Sequence, residues 1–472
     1  MRLLLRALHR MTALPLRIYA LFLAAVGVAL AAAPQAQAPH SWLDAYRRDA
    51  GRLVRAAQTG DVAYRRLTEL TDTFGARLSG SANLERAIAW AAATMKADGL
   101  EQVRTEPVTV PHWVRGEESA EILEPARHPI AMLGLGGSVA TPRSGLEGEV
   151  LVVTSFEDLH TRGREARGRI VLFNAPFTTY SDSVIYRTNS ARAAAEYGAI
   201  AALVRAIGPI GLRTPHTGSL QYVANVPRIP AASIAAEDAN RIARLAAGGH
   251  RVRVRLTMQA ETRPDASSAN VVAEIRGREK PEEIVLLGGH LDSWDVGTGA
   301  SDDGVGCIVT WEAVRLMKVL GLRPRRTVRL VLWTNEENGF GGANAYLERY
   351  AADAGRHVFA LESDSGVFAP AALGFTGGPA ARATVAQIAS LLTGLGFSGI
   401  GPTGGGADIG PIAEAGGVPT MAYLGDPTKY FVIHHTAADT IERIAPDDVS
   451  RAAAAIAVMT YVIAEMPERL PR

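Results

Sequence analysis

The chain has 472 residues, of which 47% are apolar and 21% charged, an ordinary globular composition with room for two or three domains. Lys and Arg number 49 against 48 Asp and Glu, a formal charge of +1 that argues against a nucleic-acid binder. A single cysteine, Cys307, excludes any intrachain disulfide, so stability must come from packing and bound metal.

Residues 1–38 read as an export signal. Arg2, Arg6, Arg10 and Arg17 form a basic opening without acids, Ile18 to Ala33 is apolar, and small residues including Ala36-Gln37-Ala38 follow. The apolar run is shorter than the roughly 20 residues a spanning helix needs, which favours cleavage over an anchor. Pro39 argues against cleavage directly after Ala38, and Met11 is an alternative start. The signal sends the protein to the periplasm or the exterior.

A first catalytic segment is expected over 39–130. Trp42 to Gly99 looks mostly helical around a loop at Gly75 to Ser81, with Ser81 as an N-cap, and Val103 to Val110 alternates like a strand. Gly134, Gly136, Gly137, Pro142 and Gly145 then mark a linker into an inserted module over 131–265. Its GLGGS stretch lacks the third glycine of a dinucleotide fingerprint. The module carries short β-rich runs at Val150 to Val153, Arg169 to Phe173 and Val252 to Leu256, a helical stretch near Ser190 to Tyr197, and no cluster of acids with histidine. From Asn270, strands alternate with helices, which predicts an α/β layer fold for the second catalytic segment, 266–472.

The chemistry-bearing residues fall after strand-like runs of that segment. Ile284 to Leu287 should be a buried strand, and Gly288-Gly289 lets the backbone turn and present His290, whose other imidazole N–H Asp292 can accept, fixing the tautomer. Asp302-Asp303-Gly304 opens a helix with apolar positions from Val305 to Leu320, which also holds Cys307 as a buried structural thiol. One of the two aspartates caps that helix, and the other is free to bridge cations roughly 3.5 to 4 Å apart. Thr327 to Thr334 leads into Glu336-Glu337, adjacent acids that would repel unless a cation or proton sits between them, so that one ligates metal and the other serves as base. Val358 to Leu361 leads to Asp364, and Pro419 to Leu424 leads to His434-His435-Thr436 with Asp439-Thr440 beyond. Each residue taken singly is a solvated acid or a core histidine, but five such coincidences in one α/β segment point to a metal site. Oxygen and imidazole donors without cysteine suit catalytic zinc. No G-x-S-x-G, P-loop or H-E-x-x-H occurs.

The stretches GGHLDSWDVGTGASDDGVG, WTNEENGFGG, ESDSG and HHTAADT together resemble the co-catalytic di-zinc exopeptidases. GARLSGSANLERAIAW near the start supports the same likeness, and the inserted module resembles a protease-associated domain. The resemblance implies an open mixed sheet flanked by helices, two Zn2+ per chain and a homodimer. It implies His290, Asp302 and Asp364 on one zinc, Asp302, Glu337 and His435 on the other, and Glu336 as general base. The family's ligand histidine precedes Ser or Thr four residues before an Asp-Thr pair, which selects His435 and leaves His434 to steady an oxyanion. Gly404 to Asp408 would line the substrate pocket or be a plain glycine loop. The activity so implied is hydrolysis of short peptides with a free amino terminus, by a dipeptidase or aminopeptidase. A metallocarboxypeptidase is the alternative, and a receptor-like scaffold without catalysis the remote one.

Overall fold

The computed structural model describes residues 41–397 and 399–471, so the export signal read in residues 1–38 lies outside the described residues. Among the described residues, no helix is long and apolar enough to cross a membrane. The N-terminal part is helical over Asp44–Thr59, Val62–Glu69 and Ala82–Ala97. Ser81 caps the last of these, its Oγ accepting from Leu84 N at 3.2 Å.

Two eight-stranded mixed sheets organise the rest, with helices on their faces. In the first, Glu101–Val114 forms one edge, antiparallel to Glu261–Ile275, which is antiparallel in turn to Arg326–Trp333. Four adjacent strands then run parallel, in the order Arg326–Trp333, Lys280–His290, His357–Glu362 and Thr420–Leu424. Ala372–Thr376 and Ile400–Gly401 complete the far edge. Every residue of Arg326–Trp333 and of His357–Glu362 is buried, as expected of parallel strands covered on both faces. Ile284, Leu286, Val331 and Ala360 pack against Tyr346, Ile412 and Ala413 on one face. On the other, helix Val305–Val319 packs against helix Pro446–Glu465. Register aligns the parallel strands at one end, with His290 opposite Trp333, Gly288 opposite Glu362, and Glu362 opposite Ala422. The loops that leave this end therefore meet.

Gly288 and Gly289 act differently from the sequence expectation. They lie within the strand that ends at His290, and neither has a positive φ. A Cβ at Gly288 would come within 1.9 Å of Val331 O, and one at Gly289 within 2.3 Å of Asp303 Oδ2. The glycines serve close approach of neighbouring backbone and side chain, not a turn.

The second sheet corrects the expected boundary at residue 131. Glu118–Glu124 and His128–Ile130, assigned by sequence to the first catalytic segment, pair with each other and with Arg253–Met258 in the second sheet. The glycines read as a linker also belong to it, since Met132–Gly134 pairs with Ala231–Ile234 and Gly136 bridges to Ser219. Glycine richness here reflects tight packing: a Cβ on Gly136 would meet the Trp294 ring at 2.1 Å. Leu146–Val153, Ile170–Phe173, Ala201–Arg205 and Ala231–Ile234 form a parallel core, with helices Tyr180–Glu196 and Ala236–Ala247 among its flanking elements. Arg115 ties the two sheets together. It pairs with Asp295 of the loop after His290 at 2.5 Å and donates to Thr217 Oγ1 at 3.2 Å.

Candidate metal centre

His290 ends its strand, Glu336 and Glu337 follow Trp333 by three and four residues, and Asp364 follows Glu362 by two. Asp302 comes from the loop before helix Val305–Val319, and His435 from the turn after helix Pro427–Ile433. The loops bring these side chains to one place. Asp302 sits at the centre, with Oδ1 3.3 Å from His290 Nε2 and Oδ2 3.1 Å from His435 Nε2. Asp364 Oδ1 lies 3.6 Å from His290 Nε2, and Glu337 Oε2 lies 3.0 Å from His435 Nε2. Thus each oxygen of one carboxylate faces a different histidine–acid pair, the arrangement a bridging ligand requires.

The donor set fits a pair of divalent cations. His290 Nε2, Asp302 Oδ2 and Glu337 Oε1 are buried without a hydrogen bond of acceptable geometry, which a native interior seldom tolerates. Burial, then the Asp302 charge, push Glu337 up to about 7. Burial, then Asp364 and Glu337, hold Glu336 well above the usual carboxylate range. Crowded acids of this kind take up protons unless a cation is supplied.

Asp292 does something other than receive the imidazole proton. His290 Nδ1 is 3.0 Å from the Asp292 backbone carbonyl, while the carboxylate stands 3.7 Å away. That carboxylate accepts the backbone N–H of Glu336 at 3.1 Å and of Glu337 at 3.3 Å. Asp292 therefore orients His290 through its main chain and the backbone of Glu336 and Glu337 through its side chain. We expect Asp292→Asn to lower kcat/KM by about 10- to 100-fold, since one carboxylate oxygen becomes a donor facing a donor. Kinetics alongside zinc analysis would check this, and unchanged kinetics would refute it.

Asp303 is the capping member of its pair, its Oδ1 accepting from Gly306 N at 3.1 Å and its Oδ2 from His290 N at 3.1 Å. Sequence reading missed two further supports. Asp439 accepts from Ser301 N at 2.7 Å and from Asp302 N at 3.1 Å, fixing the central carboxylate's backbone. Arg77, fully buried, donates to the carbonyls of Leu291, Thr298 and Gly299 at 2.8, 2.7 and 2.9 Å, clamping the loop between His290 and Asp302. Arg77 lies in the GARLSGS stretch, but nothing local marks its partners. Burial pushes the Cys307 thiol well above its ordinary value, consistent with an inert core position.

Both paired histidines face the centre. The His434 ring stacks on His435 with centroids 3.6 Å apart, and its Nε2 is 3.3 Å from Asp302 Oδ2. Burial and the neighbouring His435 hold His434 well below the usual imidazole value, which keeps it neutral. His435 occupies a left-handed backbone conformation, φ 59°, that costs a non-glycine residue about 1 to 3 kcal/mol. The second sheet holds it there: Thr217 N donates to His435 O at 2.9 Å, and Thr217 O lies 3.2 Å from His435 Nδ1.

A cleft of about 460 Å³ opens over the centre. Asp302, Glu336, Glu337, Asp364 and His434 line one wall, and Tyr180, Val184, Arg187 and Thr188 of the second sheet's helix line the other. Gly404 to Asp408 does not line it. That loop packs on the sheet instead, with Asp408 N and Ile409 N donating to Glu362 Oε2 at 3.1 and 2.9 Å.

Residues 270–460 match the model of Peptidase family M28. Carboxypeptidase Q of Homo sapiens is 49% identical over 410 residues, covering 87% of each chain. A Peptidase M28 precursor from Shewanella amazonensis SB2B superposes with a TM-score of 0.86 at 34% identity, covering 91% of this chain and 99% of that one. BSAP, a zinc aminopeptidase from Bacillus subtilis, has the same fold, with a TM-score of 0.65 at 21% identity over 87% of this chain and 98% of its own. A likeness to carboxypeptidase Q at 49% identity over 87% of the chain, together with the family match over residues 270–460, places this protein in Peptidase family M28, as a metallopeptidase.

Proposed function

We propose that the protein is a two-zinc exopeptidase that hydrolyses short peptides with a free amino terminus, as a dipeptidase or aminopeptidase. The observation that carries this reading is the split of the Asp302 carboxylate between His290 and His435. On it, His290, Asp302 and Asp364 hold one ion, and Asp302, Glu337 and His435 hold the other. Zinc supplies Lewis acidity, which makes water acidic near neutrality and polarises the peptide carbonyl. Glu336, at the cleft wall, takes the proton from the attacking water and returns it to the departing amine. Neutral His434 donates a hydrogen bond to the carbonyl oxygen as charge builds there. The second sheet, as the protease-associated-like module, walls the cleft and limits substrate length.

The test is a panel of dipeptides and longer peptides with free and blocked termini, assayed with and without chelator, alongside zinc analysis. Near two zinc per chain, chelator sensitivity and loss of cleavage on blocking the amino terminus are expected. Cleavage of amino-blocked peptides that depends on a free carboxyl terminus would make it a metallocarboxypeptidase. Absence of both zinc and hydrolysis would leave the receptor-like scaffold. Export and a homodimeric state complete the proposal, to be checked by sequencing the mature amino terminus and by light scattering.

A further inference from the structure

The walls of the cleft come from two separate sheets, and aromatic rings join them. Tyr180, on helix Tyr180–Glu196 of the second sheet, and Phe431, on helix Pro427–Ile433 after strand Thr420–Leu424 of the first, both line the cleft. Their rings stack with centroids 5.1 Å apart and planes inclined by 15°. Phe177 adds a third ring, 6.3 Å from Phe431. Each half of the stack is held from its own side. Arg187 Nη2 donates to Tyr180 Oη at 2.9 Å, and the Tyr430 ring meets that of Phe431 at 5.2 Å. The backbones close in at the same point: a Cβ on Gly208, in the loop after strand Ala201–Arg205, would stand 2.8 Å from Phe431 O. Only a residue without a side chain lets the second sheet approach so near.

Rings at that spacing are packed against each other, and no peptide passes between them. The cleft therefore ends at the stack, and it ends close to the chemistry. The Tyr180 ring lies 5.0 Å from that of His434 and the Phe431 ring 5.5 Å, while His434 Nε2 is 3.3 Å from Asp302 Oδ2. An extended residue spans about 3.3 to 3.6 Å, so a chain bound over Asp302 has room for about one or two residues before it meets the rings. Phe340, which also lines the cleft, is 46% exposed and packs on no other ring among the described residues, so it forms no second bar of this kind.

We propose that the Tyr180–Phe431 stack is the stop that confines this peptidase to chain ends: a substrate can run on past the cleft at one terminus only, and the other must finish beneath the rings. This rests on the peptidase reading above and names the residues that enforce its length limit. The test uses a dipeptide and two extended forms, one carrying acetylglycine at the amino end and one glycinamide at the carboxyl end, with cleavage read at the original bond. Wild type should reject one of the extended forms by about 10²-fold or more in kcat/KM, as a steric bar does. F431A should raise the rejected form relative to the dipeptide by about 10-fold or more, because the clash is gone. F431Y keeps the ring and should keep the wild-type profile, and F177A, which removes only the third ring, should give a smaller gain. Calorimetry with E336Q and E336Q/F431A reads the same selection without turnover, and only the double variant should bind the rejected form. Wild type that cleaves both extended forms as well as the dipeptide overturns the stop. So does an F431A variant whose preference among the three is unchanged, whether all rates fall together, the mark of a merely structural role, or none does. If zinc-loaded wild type cleaves neither the dipeptide nor an aminoacyl anilide, the peptidase reading itself falls, and the stop with it.

Discussion

Replacing Glu336 with Gln should lower kcat by about 10²- to 10⁴-fold, the span expected for loss of a positioned base, while zinc should stay near two ions per chain. The substitution keeps the shape of the side chain and removes only its capacity to take a proton. It also keeps the backbone contact that aims the residue, since Asp292 Oδ1 binds the main-chain N–H of position 336. The turn before it is independent too: Asn335 has φ 64°, which asparagine tolerates, and its side chain is held by Ser79 Oγ at 3.0 Å and Gly341 N at 3.0 Å. Turnover measured with a dipeptide, next to metal analysis of the same preparation, decides the matter. Near-normal turnover removes Glu336 from the role of base, and loss of zinc reassigns it as a ligand.

Asp302→Ala should do more, because a single carboxylate faces both halves of the centre. We expect zinc content below one ion per chain, activity at the assay background, and a melting temperature that no longer rises when zinc is added, since a ligand stabilises only the state that binds it. A control at one half, His290→Ala, should lose one ion and keep part of the zinc-dependent stabilisation. If the Asp302 variant retains two ions, the residue does not bridge. The measurement separates metal loss from misfolding, because Asp439 holds the Asp302 backbone whatever its side chain.

What could be read in advance divides by range. The parallel strands were legible because burial on both faces writes them as unbroken apolar runs, and the candidate donors because each falls in the stretch that follows such a run, although Asp302 precedes a helix and His435 comes after one. His290, Asp302, Glu336, Glu337, Asp364, His434 and His435 all lie together for that reason. The supports were not legible. Asp292 serves amides 44 and 45 residues away, Asp439 serves amides 137 and 138 away, and Arg77 reaches carbonyls more than 200 away. Such partners are set by how the loops stack, which no local pattern records. The two strand glycines illustrate the same limit, for their absence of side chain answers to Val331 and Asp303, not to a local bend.

Thr217 grips His435 from both sides of its peptide, by N–H to carbonyl and by carbonyl to imidazole, and Arg115 and Asp295 lock Thr217 in turn to the loop that leaves His290. The smaller layer is therefore a structural member of the reaction centre, and not an accessory bolted to a self-sufficient enzyme. Cut away, it would leave His435 in an unfavourable backbone state with no brace, so four donors would gather and the fifth would drift. Any displacement of that layer would therefore loosen the backbone of His435 and, on the ligand set proposed above, the hold on one of the two ions.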